Sequence, residues 1–203
     1  MIRSLNDFER LAGEKGPKKM AVLAPEDEEF MLAVKKSWEK GYIEPVLIGN
    51  EGKIARAAEK VGFDLAPFAK ISGGELQGIS DLGIKMLFAG TAPIAGKGQI
   101  PTSYIYRSII REEARAASGM TVSVVTFWEI PGSDHLVAFT DTGVNINPDL
   151  KAKGEILKNA VFAYHLLGFP RPKIAVLSGQ RELGGKLASY EDYEALQESA
   201  AAG

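Results

Sequence analysis

The sequence has no cysteine, and histidine occurs only twice among its 203 residues. The absence of thiols excludes disulfide bonds, thiolate metal sites and a cysteine nucleophile. The two histidines, His135 and His165, are far apart in the chain, so a metal site built from several imidazoles is not expected. We therefore predict a protein that holds no bound metal.

A strong net charge and long apolar runs are missing as well. The formal net charge is -2 and the isoelectric point is about 5.8, so no global positive field would draw the protein to nucleic acid or to an anionic membrane. No window approaches the apolar length of a membrane span, and the charged N-terminal segment is unlike a secretory signal. We expect a cytoplasmic protein, with no nucleic-acid or membrane partner, that binds any anion through a local site.

Short apolar runs alternate with helical patterns in the first half of the chain. Gly41 and Gly62 follow two of the helical patterns, at the position where glycine commonly ends a helix. Strands that alternate with helices of this length form βαβ units, which predicts a parallel sheet with helices on its faces. The predicted strands lie at residues 18–25, 44–50, 68–73 and 91–96, and the predicted helices between them lie at residues 26–42, 51–63 and 79–90.

The pattern changes after residue 119. Two long β-rich runs, residues 120–130 and 135–146, are joined by the turn sequence PGSD, which predicts a pair of antiparallel strands. We place a lobe boundary at this turn. This division gives an N-terminal α/β lobe at residues 1–131 and a partial second α/β lobe at residues 132–203.

A long helix is predicted after the second of these runs. Asn147 stands at its N-cap and Pro148 at its first helical position, while Gly168 marks its end. The apolar run at residues 173–178 then predicts a further buried strand, which ends at Ser178 before a glycine-rich loop. A short helix is predicted after that loop.

A glycine-bracketed lysine is the first candidate for chemistry. It follows the fourth predicted strand and precedes a predicted helix, and in open α/β sheets ligands bind where strand ends meet helix N-termini. The residues of this segment that could hold an anion are Gly96, Lys97, Gly98, Thr102, Ser103 and Arg107. A purely structural interpretation is equally open at this point: a surface turn with a solvated Lys97, Thr102 as a plain N-cap, and Arg107 paired with a glutamate.

Two further places hold polar residues near predicted strand ends. Ser178 stands where a strand meets a glycine-rich loop, as Lys97 does. Asp141 and Asn145 alternate along a predicted strand, so their side chains would lie on one face, and a carboxylate within an apolar strand needs a partner. Asn147 would share that face while it caps the next helix. We consider these residues candidates for a second part of the site.

The motifs in these segments carry a resemblance to a known family. The chain has K-G-x-x-x-T-x-x-x-x-R at residues 97–107, PKIAVLS at 172–178, and a long run that contains TDTGVNINPDL and continues to Ala160. In these motifs, and over most of its length, the sequence resembles the phosphate acetyl/butyryltransferases. Those enzymes exchange an acyl group between coenzyme A and inorganic phosphate.

The resemblance implies a fold and a site. It implies two α/β lobes with mostly parallel sheets flanked by helices, of the isocitrate/isopropylmalate-dehydrogenase-like type, with the active site in the cleft between them and the second lobe incomplete here. Phosphate would lie near Lys97, Thr102 and Arg107, with Gly98 and Ser103 beside them. The opposite wall would be lined by Asp141, Asn145 and Ser178. Coenzyme A would be a substrate rather than a bound cofactor.

Two functions remain open at the level of the sequence. The first is a phosphate acyltransferase that exchanges a short acyl group between coenzyme A and inorganic phosphate. The second is a non-catalytic acyl-phosphate-binding or coenzyme A-binding subunit, or a partner subunit, on the same fold, because the sequence identifies no catalytic residue such as a general base. In either case we expect small-molecule ligands, acyl-CoA and phosphate, and a homo-oligomer or a partner subunit.

Overall fold

The computed structural model of the protein describes residues 2–117, 119, 121–177 and 192–198. The chain forms two compact units. One unit is Phe8–Gly119, and the other combines Met1–Asp7 with Met120–Gly203. The lobe boundary expected from the sequence at residues 131 and 132 remains a prediction.

Six helices and six strands are the elements of these two units in the described residues, followed by a helical stretch at 192–198. No helix among the described residues combines the length and apolarity needed to cross a membrane. In chain order the elements are α1 (Leu5–Lys15), β1 (Lys18–Leu23), α2 (Glu28–Glu39), β2 (Ile43–Ile48), α3 (Glu51–Lys60), β3 (Lys70–Ile71), α4 (Leu76–Phe88), β4 (Ile94–Lys97), α5 (Thr102–Ala116), β5 (Thr126–Trp128), β6 (Val137–Phe139) and α6 (Leu150–Leu166).

The first four strands form one parallel sheet in the spatial order β3, β2, β1, β4. In its register Val22 of β1 lies beside Leu47 of β2 on one side and beside Gly96 of β4 on the other. The predicted α/β class, a parallel sheet flanked by helices, is therefore confirmed.

Helix boundaries in this sheet follow from local capping. Asp27 accepts a hydrogen bond from the Phe30 amide at 2.8 Å and begins α2, and Asn50 accepts one from the Lys53 amide at 3.0 Å and begins α3. Gly41 has a φ of 71°, a left-handed conformation that suits the residue just after a helix.

Helices cover both faces of the sheet. On one face Val22 and Leu47 pack with Met31 of α2 and with α3. On the other face Leu23 packs with Ile79 of α4, against which α5 side chains also lie. The chain thus passes from β1 through α2 on one face and from β4 through α5 on the other. The carboxyl ends of β1 and β4 therefore flank a topological switch point, the usual place for a ligand in an open α/β sheet.

The other unit differs from its prediction. The two long strands expected across residues 120–146 are only three residues each, an antiparallel pair that aligns Phe127 with Ala138. The strand expected at residues 173–178 is wrong for residues 173–177, which have no strand pairing, and Ser178 lies outside the described residues.

The start of α6 also differs from its prediction. Asn147, predicted as the N-cap, has a φ of 51° and lies before the helix. The cap is Asp149, whose carboxylate accepts from the Ala152 amide at 2.8 Å. Tyr164 then joins α6 to the segment around β6, because its hydroxyl accepts from the Ala138 amide at 3.0 Å and donates to the Leu136 carbonyl at 3.1 Å.

Candidate anion-binding site

The connection from β4 to α5 lies tightly on the end of β1. The Gly98 amide donates to the Leu23 carbonyl at 2.7 Å, and the Gln99 amide donates to the Ala24 carbonyl at 2.9 Å. These bonds continue the pairing of β4 with β1 past the end of the strand. They place Lys97, the last residue of β4, at the switch point of the sheet.

Packing requires glycine at position 98, whereas at Gly96 the clash is with the flexible end of a methionine side chain. A Cβ atom at Gly98 would lie 2.3 Å from the Ala24 carbonyl oxygen and 2.7 Å from the Phe30 ring. At Gly96 it would lie 2.1 Å from the terminal methyl of Met20. From the sequence, Gly98 was expected to let an anion come close to the backbone. In the structure this space is filled by the protein's own atoms. A phosphate contact at Gly98 remains a prediction.

The Lys97 side chain folds back along this connection. Its ammonium donates to the Ile100 carbonyl at 3.1 Å, and the residue is exposed. A carbonyl oxygen orients an ammonium group but does not cancel its charge. Lys97 therefore presents a positive charge next to the connection that leads into α5.

Helix α5 begins without a side-chain cap. Its N-cap residue is Pro101, which forms no side-chain cap hydrogen bond, so the interpretation of Thr102 as the cap is wrong. Thr102 and Ser103 are instead the first two helical residues, and both are exposed. The N-terminal amides of a helix and the positive end of its dipole favour a negative ligand. The hydroxyls of Thr102 and Ser103 are next to that end.

Arg107 lies one turn after Ser103 on the same face of α5. Its Nη1 donates to Gln77 Oε1 at 3.0 Å, and its guanidinium lies 5.4 Å from the centre of the Tyr104 ring. Both contacts are with neutral groups, so the expected pairing with a glutamate is replaced by one with an amide. Arg111, one turn further, is different, because its Nη1 lies 2.7 Å from a carboxylate oxygen of Asp81.

The Asp81 carboxylate is the centre of a polar contact between α4 and α5. It accepts from Ser108 Oγ at 2.6 Å and from Gln77 Nε2 at 2.9 Å. Burial alone would raise the pKa of Asp81, but these hydrogen bonds and the charge of Arg111 outweigh it and lower the pKa below its ordinary value. Asp81 is therefore an anion near neutral pH.

This polar contact was missed from the sequence. Gln77, Ser80 and Asp81 recur at helical spacing on α4, which is a signal that one face of the helix is polar. The partners Ser108 and Arg111 stand at similar spacing on α5. Neither pattern by itself shows that the two helices face each other.

Two grooves open at the carboxyl end of the sheet in this unit. The smaller, of about 380 Å³, is lined in part by Asn50, Lys53, Gln77 and Tyr104. The larger, of about 770 Å³, lies where α2 and α3 begin and includes Gln99 in its lining. The two neutral partners of Arg107, Gln77 and Tyr104, thus form part of a concave wall. Within the described residues, no group of three or more His, Cys, Asp or Glu side chains could hold a metal ion.

Asp141 and Asn145 are brought together in the other unit, but not on a strand. Asp141 accepts from the Asn145 backbone amide at 2.8 Å and from the Asn145 side-chain amide at 2.6 Å. It also accepts longer bonds from the amides of Val124, Gly143 and Val144. The segment is a hydrogen-bonded loop, so the predicted strand-like alternation is wrong.

Asn145 extends this loop by donating from Nδ2 to the Val122 carbonyl at 2.9 Å. Burial alone would raise the pKa of Asp141, but the bonds from Asn145 and from the backbone amides of Val144 and Val124 lower it below its ordinary value. Both side chains therefore have a clear structural role. Their contact with a substrate remains a prediction, as does that of Ser178.

Comparison with known proteins identifies the family. Residues 75–200 match the family model described as "Phosphate acetyl/butaryl transferase". This match covers more than half of the chain, which therefore belongs to the phosphate acetyl/butyryltransferase family, and the resemblance noted in the sequence is confirmed.

Individual relatives agree with this assignment. The chain is 29% identical over 192 residues to a phosphate butyryltransferase of Clostridium acetobutylicum, covering 95% of this chain and 64% of the relative. It is 28% identical over 186 residues to a phosphate acetyltransferase of Thermotoga maritima, covering 90% and 62%. The chain thus spans less than two thirds of the length of these relatives.

Solved structures share the fold. A phosphotransacetylase from Streptococcus pyogenes superposes with a TM-score of 0.74 at 19% identity, covering 98% of this chain and 70% of the other. A branched-chain phosphotransacylase from Enterococcus faecalis V583 gives a TM-score of 0.69 at 18% identity, covering 90% and 63%. At these identities the likeness describes the fold.

We predict that Gly98→Ala lowers the free energy of unfolding by about 1–3 kcal/mol, because the new methyl group would overlap the Ala24 carbonyl and the Phe30 ring. Urea unfolding at neutral pH measures the change. Gly52→Ala is the matched control, since its Cβ would meet nothing closer than 3.5 Å inside α3, where alanine is the better helix former. Equal stability of both variants would contradict the packing role of Gly98.

We predict that Asp141→Asn lowers the free energy of unfolding by about 1–3 kcal/mol at pH 7, because an amide cannot accept all the bonds that the carboxylate accepts. A group whose pKa is lowered in the folded state stabilises above its unfolded pKa of about 3.9, and this stabilisation is lost as the pH falls through the folded pKa. The difference between wild type and variant should therefore shrink below about pH 4.

Urea unfolding at pH 7, 5, 4 and 3 tests this pH dependence. Asp149→Asn is the control, since asparagine caps a helix as well as aspartate does and little change is expected. A wild-type advantage over Asp141→Asn that stays constant down to pH 3 would show that the hydrogen bonds of Asp141 do not depend on its charge.

Proposed function

We propose that this chain is a phosphate acyltransferase that exchanges a short acyl group between coenzyme A and inorganic phosphate. The observation that carries the proposal is Arg107, a guanidinium held by neutral partners one turn from the uncapped start of α5, in a segment that also presents Lys97. Membership of the phosphate acetyl/butyryltransferase family supports the same reaction.

The residue types suit the chemistry. Lysine, arginine and the hydroxyls of Thr102 and Ser103 bind phosphoryl oxygens and stabilise the negative charge that grows on them. In the proposed reaction the thiolate of coenzyme A attacks the acyl carbonyl carbon of an acyl phosphate. The carbon–sulfur bond forms, the carbon–oxygen bond to phosphate breaks, and inorganic phosphate leaves with the electron pair. Holding both substrates in place supplies a large part of the rate enhancement.

The second unit contributes three further proposed ligands on the basis of the family resemblance. These are Asp141, Asn145 and Ser178. The contacts of Asp141 and Asn145 with one another fix the loop that presents them.

A binding function without turnover is the second candidate, and the state of Asp141 favours it. Asp141 is the one carboxylate among the proposed site residues, and hydrogen bonds from Asn145 and from the backbone amides of Val144 and Val124 lower its pKa. A carboxylate stabilised in this way is a weak general base. The chain would then bind acyl phosphate or coenzyme A as a subunit.

We predict that Arg107→Ala weakens phosphate binding about 10- to 100-fold, the equivalent of losing one or two hydrogen bonds to a charged group. Isothermal titration calorimetry with inorganic phosphate measures this, and the same variant is tested for acyl-CoA formation from acetyl, propionyl and butyryl phosphate. Coenzyme A and dephospho-coenzyme A are titrated in parallel. A loss seen only with coenzyme A would assign Arg107 to the 3′-phosphate of that substrate.

Arg111→Ala is the matched control. It removes the same side chain one turn away on α5, but Arg111 is paired with Asp81, so phosphate affinity should stay within about twofold. If Arg107→Ala leaves every phosphate-containing ligand bound as tightly as before, the proposed site is wrong. Binding without turnover in the wild type would favour the subunit function.

We further propose that the chain acts as a homo-oligomer or as a partner subunit. Several large apolar side chains of the second unit are exposed, among them Phe162 at 63% and Leu166 at 69% on one face of α6. Sedimentation velocity at increasing concentration should show association of the wild type. Leu166→Lys should weaken that association, whereas the same substitution at Leu32, an exposed leucine of α2, should not. A wild type that stays monomeric throughout would contradict the homo-oligomer.

A further inference from the structure

Gln77 connects Arg107 to helix α4 through its side-chain amide. Its Oε1 accepts from Arg107 Nη1 at 3.0 Å, while its Nε2 donates to Asp81 Oδ1 at 2.9 Å and to Ser108 Oγ at 3.0 Å. Both hydrogens of the amide nitrogen are thus bonded, one to Asp81 and one to Ser108. The amide oxygen is bonded to Arg107.

The direction of this amide is fixed by its neighbours. The Asp81 carboxylate only accepts hydrogen bonds when ionised, so the amide nitrogen of Gln77 must face it. The Ser108 hydroxyl donates to the same carboxylate at 2.6 Å, which leaves its lone pairs to accept from Gln77. The amide oxygen therefore has a single possible direction, toward Arg107.

The choice of an amide matters for the charge of Arg107. A carboxylate at this position would form an ion pair, as Asp81 does with Arg111, and would compete with any anionic ligand. An amide oxygen holds the guanidinium by one hydrogen bond and leaves its net charge intact. The Tyr104 ring supports the guanidinium through a second neutral contact.

We propose that Gln77, oriented by Asp81 and Ser108, is a positioning residue that fixes Arg107 for binding a phosphoryl group without neutralising its charge. This inference rests on the proposed function, since it needs Arg107 to bind that group. It adds a residue of α4 that acts through the arginine and need not touch the ligand itself. The ligand of Arg107 in this proposal is the phosphoryl group of inorganic phosphate, of an acyl phosphate or of coenzyme A.

A double-mutant cycle tests the proposal, with inorganic phosphate, coenzyme A and dephospho-coenzyme A as calorimetric probes. Gln77→Met keeps the length of the side chain and removes its hydrogen bonds, so phosphate affinity should fall about tenfold. In the Arg107→Ala background the same substitution should have no further effect, because its only route to the ligand is gone. Gln197→Met, an exposed glutamine of the other unit, is the matched control and should bind as the wild type does.

Gln77→Glu separates positioning from packing. It keeps an acceptor for Arg107 but adds a negative charge, so phosphate affinity should fall at least as far as in Gln77→Met. If Gln77 only joined the two helices, its substitutions would change the melting temperature and leave the affinity of the folded protein unaltered. Asp81→Asn frees the amide to rotate and should give a smaller loss of affinity. This variant provides the same test should Gln77→Met fail to fold.

The outcomes distinguish the two proposals. Loss of affinity in Arg107→Ala together with a non-additive loss in Gln77→Met supports both. Loss in Arg107→Ala with unchanged or additive affinity in the Gln77 variants overturns the role of Gln77 and leaves the phosphate site in place. If Arg107→Ala has no effect on any probe, the phosphate site itself is wrong, and the role of Gln77 is wrong with it.

Discussion

The close approach of β4 to β1 is the constraint on which the candidate site depends. Gly98 donates to the Leu23 carbonyl at 2.7 Å, with no room for a side chain between it and Ala24. This contact fixes the connection from β4 to α5 against the end of the central strand. As a result Lys97 and the first turn of α5 lie at the switch point. Gly98 is needed for this backbone packing whether or not a ligand binds there.

Two of the three arginines of α5 show how the partner of a charged side chain affects its charge. Arg107 and Arg111 are one turn apart, and both point toward α4. One meets the amide of Gln77 and the other the carboxylate of Asp81. Because only the carboxylate carries an opposite charge, Arg111 contributes to helix packing while Arg107 keeps a charge available for a ligand. The two arginines thus differ in the charge of their partners, an amide for Arg107 and a carboxylate for Arg111.

The fold of the first unit could be predicted because its signals are local. Buried parallel strands such as β2 contain continuous apolar runs, here residues 45–48, and caps such as Asp27 and Asn50 mark where helices begin. The second unit was predicted less well. Its β-rich composition suggested long strands, yet Asp141 and Asn145 bind the backbone near Val122 and Val124 in place of a strand ladder.

The candidate site could be predicted only in part, because only some of its residues stand in a recognisable local sequence pattern. The lysine and arginine that would hold an anion are recognisable because they stand beside glycines and a helix start. Gln77 has no such context, and it lies 30 residues before its partner. Only the packing of α4 on α5 brings the two together. The sequence therefore indicates Arg107, the residue that would bind the anion. Gln77, which would orient the Arg107 side chain, is identified only from the folded structure.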